Sequence, residues 1–277
     1  MIWQLPCAEP TPEHFVQAVA RLKQEHAGQV VIFLLDEVDA LLGHDIENEE
    51  RLFKGLRALA QEGHCRFVFC GGRTLAARLH DSGSALFNFC QTVRLGYLNP
   101  RDTGRIVLEP MQEMGIGFED ASALIQRVID LSACHPNLVQ YICQQLILQI
   151  NARGDRFIQL SDLDDIESSQ PFSEYFLEVM WGSVGVLERL VTLLALDQSH
   201  INSTGIKAAL RTHGLDVSLT AIEKALTSLV FCSILNKEGN EYSFTAPAFP
   251  AILTVTQDVN ALLEQTIQAV RSEMASR

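Results

Sequence analysis

The stretch VVIFLLDEVDALL, residues 30–42, constrains this chain most. Its first six residues are apolar without alternation, which predicts a strand buried on both faces, as in a parallel sheet. Six residues are too few to cross a bilayer. The run ends in two adjacent carboxylates, Asp36 and Glu37. Ligands of α/β sheets lie outside the carboxyl ends of the strands. The strand tip is therefore the first place to look for a site. The competing reading is that the two acids merely cap the following helix, where negative charge is favoured.

The flanking segments fit a layered α/β unit. Thr11-Pro12-Glu13 combines a capping hydroxyl, a proline at the first helical position and an acid, so a helix starts there. Phe15, Val19 and Leu22 line one face of it, and Gly28 stops it. A second helix is predicted from about Glu49, with Leu52, Phe53, Leu56 and Leu59 aligned, ending at Gly63. RFVFC, residues 66–70, predicts a second buried strand that closes on Gly71-Gly72-Arg73-Thr74, and a short strand is predicted around Thr92–Leu95. Strand, helix, strand at these spacings is a right-handed parallel unit.

Beyond Asn99-Pro100 the pattern becomes helical, with helices predicted near 101–108, 120–132 and 136–150 and another starting at Ser161. The acid-rich SDLDDIESSQP, residues 161–171, breaks the apolar rhythm and predicts a linker. After Pro171, helices at about 187–194, 204–212 and 218–230 precede SILNKEGNEYSFTAP, residues 233–247, which carries a hairpin signature around Glu238-Gly239-Asn240. Three helices and a hairpin form a winged-helix arrangement. A last amphipathic helix covers about 258–273. The fold class read from this pattern is α/β plus α: an incomplete parallel-sheet core over 1–100, a helical lid over 101–170, a winged-helix domain over 171–257 and a C-terminal helix over 258–277.

Composition narrows the function. The 277 residues carry a net charge of −13, the wrong sign for gripping nucleic-acid phosphates. Between residues 183 and 250 five Lys/Arg face six Asp/Glu, and the candidate recognition helix offers only Lys224, next to Glu223. Residues 1–29 lack the basic and apolar regions of a secretory signal. The seven cysteines include no CxxC pair, which predicts small buried hydrophobes in a reducing cytoplasm. Cys134-His135 has no second pair at metal-ligand spacing. A thiol or serine hydrolase finds no support, since GxSxG is absent.

The order VVIFLLDEVDALL, RFVFCGGRT, LGYLNPRD, CHPNLVQYICQQL and then a helix–hairpin segment resembles the STAND branch of the AAA+ ATPases and the related origin-recognition-type ATPases. The likeness extends over nearly the whole chain. It implies an ATP-binding signalling switch that uses Mg²⁺. Asp36-Glu37 match Walker B: Asp36 would hold Mg²⁺ through water, and Glu37 would orient the attacking water and take its proton. Asp39 matches the second acid of a DExD variant. Arg73 matches the arginine that reads the γ-phosphate. His135-Pro136 match a GxP or GHP turn near the adenine, with Cys134 where glycine is usual. GxxxxGK[ST], the loop that cradles phosphates, occurs nowhere in the sequence. The resemblance thus implies the downstream portion of a longer ATPase, inactive in hydrolysis by itself, with ATP and Mg²⁺ expected in the full-length protein and other domains or subunits as partners. It also implies an open apolar strand edge, hence a fragile or aggregation-prone fragment. The alternative is a winged-helix DNA-binding transcriptional or replication regulator, which the charge balance disfavours.

Overall fold

A computed structural model describes residues 11–275 except Ala27 and Ser199, and divides the chain into two compact units, Met1–Arg94 and Leu95–Arg277. Cys7 lies outside the described residues.

The first unit is built on two parallel strands, β1 (Ile32–Leu35) and β2 (Arg66–Phe69), with Ile32 paired to Arg66 and Leu35 to Phe69. Helices α1 (Pro12–Glu25), α2 (Val38–Glu47), α3 (Arg51–Gln61) and α4 (Arg73–His80) complete it. Thr11 caps α1 as its sequence predicts, accepting a hydrogen bond from His14 N–H. One sheet face is covered: Phe33 packs against Phe15 and Phe67, and Phe69 against Phe53. The other face differs from the expectation of double burial. Val30, Ile32, Leu34 and Val68 are 68%, 57%, 76% and 53% exposed. An unbroken apolar run shows that a strand can be buried on both faces, whereas burial itself depends on what packs there. The predicted strand at 92–95 forms no strand: these residues have no regular secondary structure, and Val93 and Leu95 are exposed.

Two carboxylates on α2 organise the unit. Asp45, buried, accepts the N–H groups of Leu52 and Phe53 at 3.0 and 2.9 Å and so caps α3 from the preceding helix. Asp39 does the same for α4. Glu50 is also buried. It pairs with Arg78 and accepts Ala85 N–H at 2.6 Å, stitching the irregular segment after α4 to the start of α3.

The second unit is almost wholly helical: α5 (Pro100–Glu113), α6 (Ala121–Ser132), α7 (Pro136–Arg153), α8 (Leu160–Glu167), α9 (Gln170–Trp181), α10 (Val186–Ala195), α11 (Ser203–Thr212), α12 (Leu219–Phe231), α13 (Phe249–Thr256) and α14 (Val259–Ala275). A short parallel pair, β3 (Gly117–Phe118) and β4 (Phe157–Ile158), joins the segments before α6 and α8. An antiparallel hairpin, β5 (Leu235–Glu238) and β6 (Glu241–Phe244), turns at Gly239, and Ile201 bridges to Tyr242 beside it. One hydrophobic core runs from Val107 on α5 to Val270 on α14, with Phe172, Phe176 and Phe249 fully buried at its aromatic centre.

The acid-rich stretch 161–171 is not a linker. It forms α8 and the start of α9, and Leu163 and Ile166 are buried. The buried Asp162 is neutralised by Arg153 and accepts Gln159 N–H at 2.8 Å. A charge that sequence assigns to solvent is here a paired interior group. The cysteine expectation holds in part: Cys65 and Cys134 are buried, whereas Cys70 is exposed. Among the described residues, no helix is long and apolar enough to cross a membrane.

Candidate functional site

The tips of β1 and β2 meet at a small set of backbone bonds. Cys70 N–H donates to Leu35 C=O at 2.8 Å, and Val38 N–H donates to Cys70 C=O at 3.0 Å. The chain therefore leaves β1 through Asp36-Glu37 with both flanks anchored to the end of β2. Asp36 and Glu37 are exposed. Asp36 Oδ1 accepts Glu37 N–H at 2.9 Å. The neighbouring Cys70 thiol, followed by the Glu37 N–H, holds Asp36 below the ordinary carboxylate range, so it is ionised at neutral pH.

Glu37 occupies the left-handed region, φ 51° and ψ 40°. That conformation costs a residue with a Cβ about 1–2 kcal/mol. Its side chain makes no capping hydrogen bond to α2, so the simple capping explanation fails for this acid. Strain of this kind clusters at functional positions.

Asp39 has a different task. Its Oδ1 accepts Thr74 N–H at 2.7 Å and Leu75 N–H at 3.3 Å, and its Oδ2 accepts Gly72 N–H. Both oxygens are thus committed to the N-terminus of α4. A Cβ at Gly71 would run into the Asp39 carboxylate and lie 3.0 Å from Val38 Cγ2, so glycine is needed for the close approach. Arg73, half-buried, is the first residue of α4, and Asp39 holds the turn that carries it. Asp36, Glu37, Asp39, Cys70 and Arg73 thereby belong to one bonded assembly at the carboxyl end of the sheet.

His135 and Pro136 belong to the second unit. His135 Nδ1 accepts Asn137 N–H at 3.2 Å and caps α7, and Pro136 is the first helical residue. Tyr97 meets the imidazole edge-on with centroids 4.6 Å apart, and Leu98 N–H donates to Cys134 C=O at 3.1 Å. Burial pulls the imidazole below its usual pKa, consistent with a neutral ring accepting through Nδ1. Cys134 has φ 62°: the turn keeps the left-handed geometry glycine would supply, despite a side chain.

The chemistry at the β1 tip fits a hard divalent cation. Mg²⁺ is bound through one or two carboxylates and otherwise by water and phosphate oxygens. Asp36 supplies an exposed, ionised carboxylate. No group of three or more His, Cys, Asp or Glu side chains that could hold a metal ion occurs among the described residues.

No protein-family model matches this sequence, and no curated protein does. Solved structures do. A Walker-type ATPase of Pyrococcus abyssi aligns with a TM-score of 0.60 at 14% identity, covering 89% of this chain and 69% of its own. The ORC2 protein of Aeropyrum pernix, solved in ADPNP–ADP complexes, aligns with a TM-score of 0.54 at 13% identity, covering 97% of this chain and 71% of its own. At this level of identity the likeness is one of fold: the chain folds like these two proteins.

Proposed function

We propose that this chain is part of an ATP-binding signalling switch of the STAND type, with the β1 tip as its phosphate-facing centre. The observation that carries the reading is the exposed Asp36-Glu37 pair at the end of a parallel strand, with Glu37 in the left-handed region, tied through Asp39 to the turn bearing Arg73. Mg²⁺, when bound, would neutralise charge on the phosphate oxygens. Asp36 would help hold the ion. In an assembled ATPase Glu37 would orient the attacking water and accept its proton. Arg73 answers to the charge of the terminal phosphate. Helices α5 to α8 act as the lid. The α10–α12 helices with the β5–β6 hairpin act as a winged helix that meets protein rather than DNA, since the segment has no basic surplus. Attached domains or subunits receive the motion, in the cytoplasm.

The sequence holds no GxxxxGK[ST], and a lysine with backbone N–H groups at the β-phosphate is a large part of nucleotide affinity. The chain by itself is therefore expected to turn over no ATP. Phosphate release under Mg²⁺-ATP, compared for wild type and Glu37→Gln, tests this. Equal background rates are expected. Turnover that disappears in Glu37→Gln would mean that the chain contains a complete phosphate site and would overturn the inactive reading.

A further inference from the structure

Tyr97 sits where the second unit begins, in the segment without regular secondary structure that leads into α5. Its ring and its hydroxyl are held by different parts of that unit. The ring meets the imidazole of His135 edge-on, with centroids 4.6 Å apart. The next residue, Leu98, donates its N–H to Cys134 C=O at 3.1 Å. Two consecutive residues thus grip the Cys134-His135 turn at the start of α7. The hydroxyl reaches another part of the core. It lies 3.3 Å from Cys232 C=O, 135 residues further along the chain, and 3.5 Å from Met180 Sδ on α9.

A phenol has one proton to donate, and the carbonyl is the stronger acceptor of the two. Cys232 is the C-cap of α12. Carbonyls at a helix C-terminus have no partner within the helix, so the Tyr97 hydroxyl serves the end of α12 from outside. The chain turns there into the hairpin: Ser233 has φ 56°, Ile234 N–H donates to Leu229 C=O at 2.9 Å, and β5 begins at Leu235. The ring and oxygen of a tyrosine move as one rigid body on two torsions. A shift of the α7 turn displaces the ring, and the hydroxyl with it. Packed and hydrogen-bonded contacts of this kind carry coupling between separated parts of a fold.

We infer that Tyr97 is a mechanical link: it makes the geometry at the end of α12, where the hairpin starts, depend on the Cys134-His135 turn at the start of α7. That the link joins a lid to a winged helix rests on the function proposed above.

The test is hydrogen–deuterium exchange of the full chain without nucleotide, for wild type, Tyr97→Phe, His135→Asn and the double variant. Tyr97→Phe keeps the ring on His135 and removes the hydroxyl. His135→Asn keeps a side chain able to cap α7 and removes the ring against Tyr97. Tyr97→Phe should raise the opening of residues 229–235 about fivefold, the scale of one hydrogen bond. His135→Asn should raise opening in that same segment by about twofold or more, and should add nothing there once the hydroxyl is gone. Exchange in His135→Asn that changes only around residues 133–138 would overturn the link and make Tyr97 a local prop. An equal increase at 229–235 with and without the hydroxyl would also overturn it, since the effect would then travel by another route. So would loss of protection spread over the whole second unit, because the link requires a response confined to the two segments. Coupling found in exchange, with no response of the chain to Mg²⁺-ATP, would keep the link and overturn the switch reading alone.

Discussion

Asp39 Oδ1 accepts a 2.7 Å hydrogen bond from the backbone N–H of Thr74, 35 residues further along the chain. Through this bond and those from Gly72 and Leu75, a carboxylate one turn beyond Asp36-Glu37 caps the helix that begins at Arg73. The two halves of the candidate site are thus joined by a helix cap, and the acid between them acts structurally. Removing a capping side chain costs about 0.5–2 kcal/mol. Asp39 satisfies three N–H groups, so Asp39→Ala should lie at the upper end, about 2 kcal/mol, with Asp39→Asn intermediate. Urea denaturation measures both. Burial pushes the Asp39 carboxyl up, but the Gly72, Thr74 and Leu75 N–H groups outweigh it and leave it below the ordinary 3.8. A carboxyl lowered in the folded state adds stability that is complete above its unfolded value. That stability is lost as pH falls through the folded one. The gap between wild type and Asp39→Asn should therefore be constant from neutrality to about pH 5 and shrink below about pH 4.

Gly71 owes its identity to the same carboxylate. A methyl group there meets Asp39 first, then Val38 and Leu75. Gly71→Ala should cost about 1–3 kcal/mol, as overpacking does. Because the clash is with Asp39, the cost should fall in an Asp39→Ala background, giving a coupling of about 1 kcal/mol in the double-mutant cycle. Additive costs would show that the turn is limited by something else.

The exposed sheet face predicts behaviour in solution. Val30, Ile32, Leu34 and Val68 form an apolar strip, and strips of this kind promote association. Ile32→Thr with Leu34→Lys should reduce dye binding to exposed apolar surface and raise the concentration at which the chain aggregates. The change in unfolding free energy should stay within about 0.5 kcal/mol, as for other surface positions. A large destabilisation would mean that these side chains are packed in the folded protein.

Some of this architecture was readable from residues alone. The Thr11 cap, the Asp36-Glu37 tip, the helix after His135-Pro136 and the hairpin around Gly239 follow from local rules of capping, strand patterning and turn chemistry. What escaped depends on partners distant in sequence. Asp39 looks like a third acid of a site motif until the N–H groups of Gly72, Thr74 and Leu75 are beside it. Cys70 looks like another core cysteine until its strand end meets Asp36. The 161–171 stretch looks like a linker because its acids are visible in sequence and the Arg153 that neutralises Asp162 is not paired with it by any spacing rule. Helix α9 was hidden for a local reason: Gln170-Pro171 reads as a break, yet proline is the second residue of that helix.

The helical character of 161–171 has its own test. Limited trypsin and Glu-specific proteolysis under native conditions should leave the α8–α9 stretch uncut, since backbone packed in helices on a core resists cleavage. Arg153→Met should change this. It leaves Asp162, whose side chain is 3% exposed, without its counter-charge, and should destabilise the second unit, though less than breaking a fully buried pair would, because Gln159 N–H still serves the carboxylate.

The central claim is that the β1 tip and Arg73 together recognise the terminal phosphate of a nucleotide. Chemical-shift titration with Mg²⁺-ATP and Mg²⁺-ADP, on wild type, Asp36→Asn and Arg73→Ala, tests it most directly. The account predicts weak binding, with dissociation constants of about 1 mM or above, equivalent to no more than about 4 kcal/mol. Shifts should be largest around Asp36, Glu37 and Arg73. Asp36→Asn should weaken both nucleotides. Arg73→Ala should abolish the preference for ATP over ADP, since only a difference in affinity can drive a switch. Equal ATP and ADP shifts in all three proteins, or an ATP preference that survives Arg73→Ala intact, would contradict it.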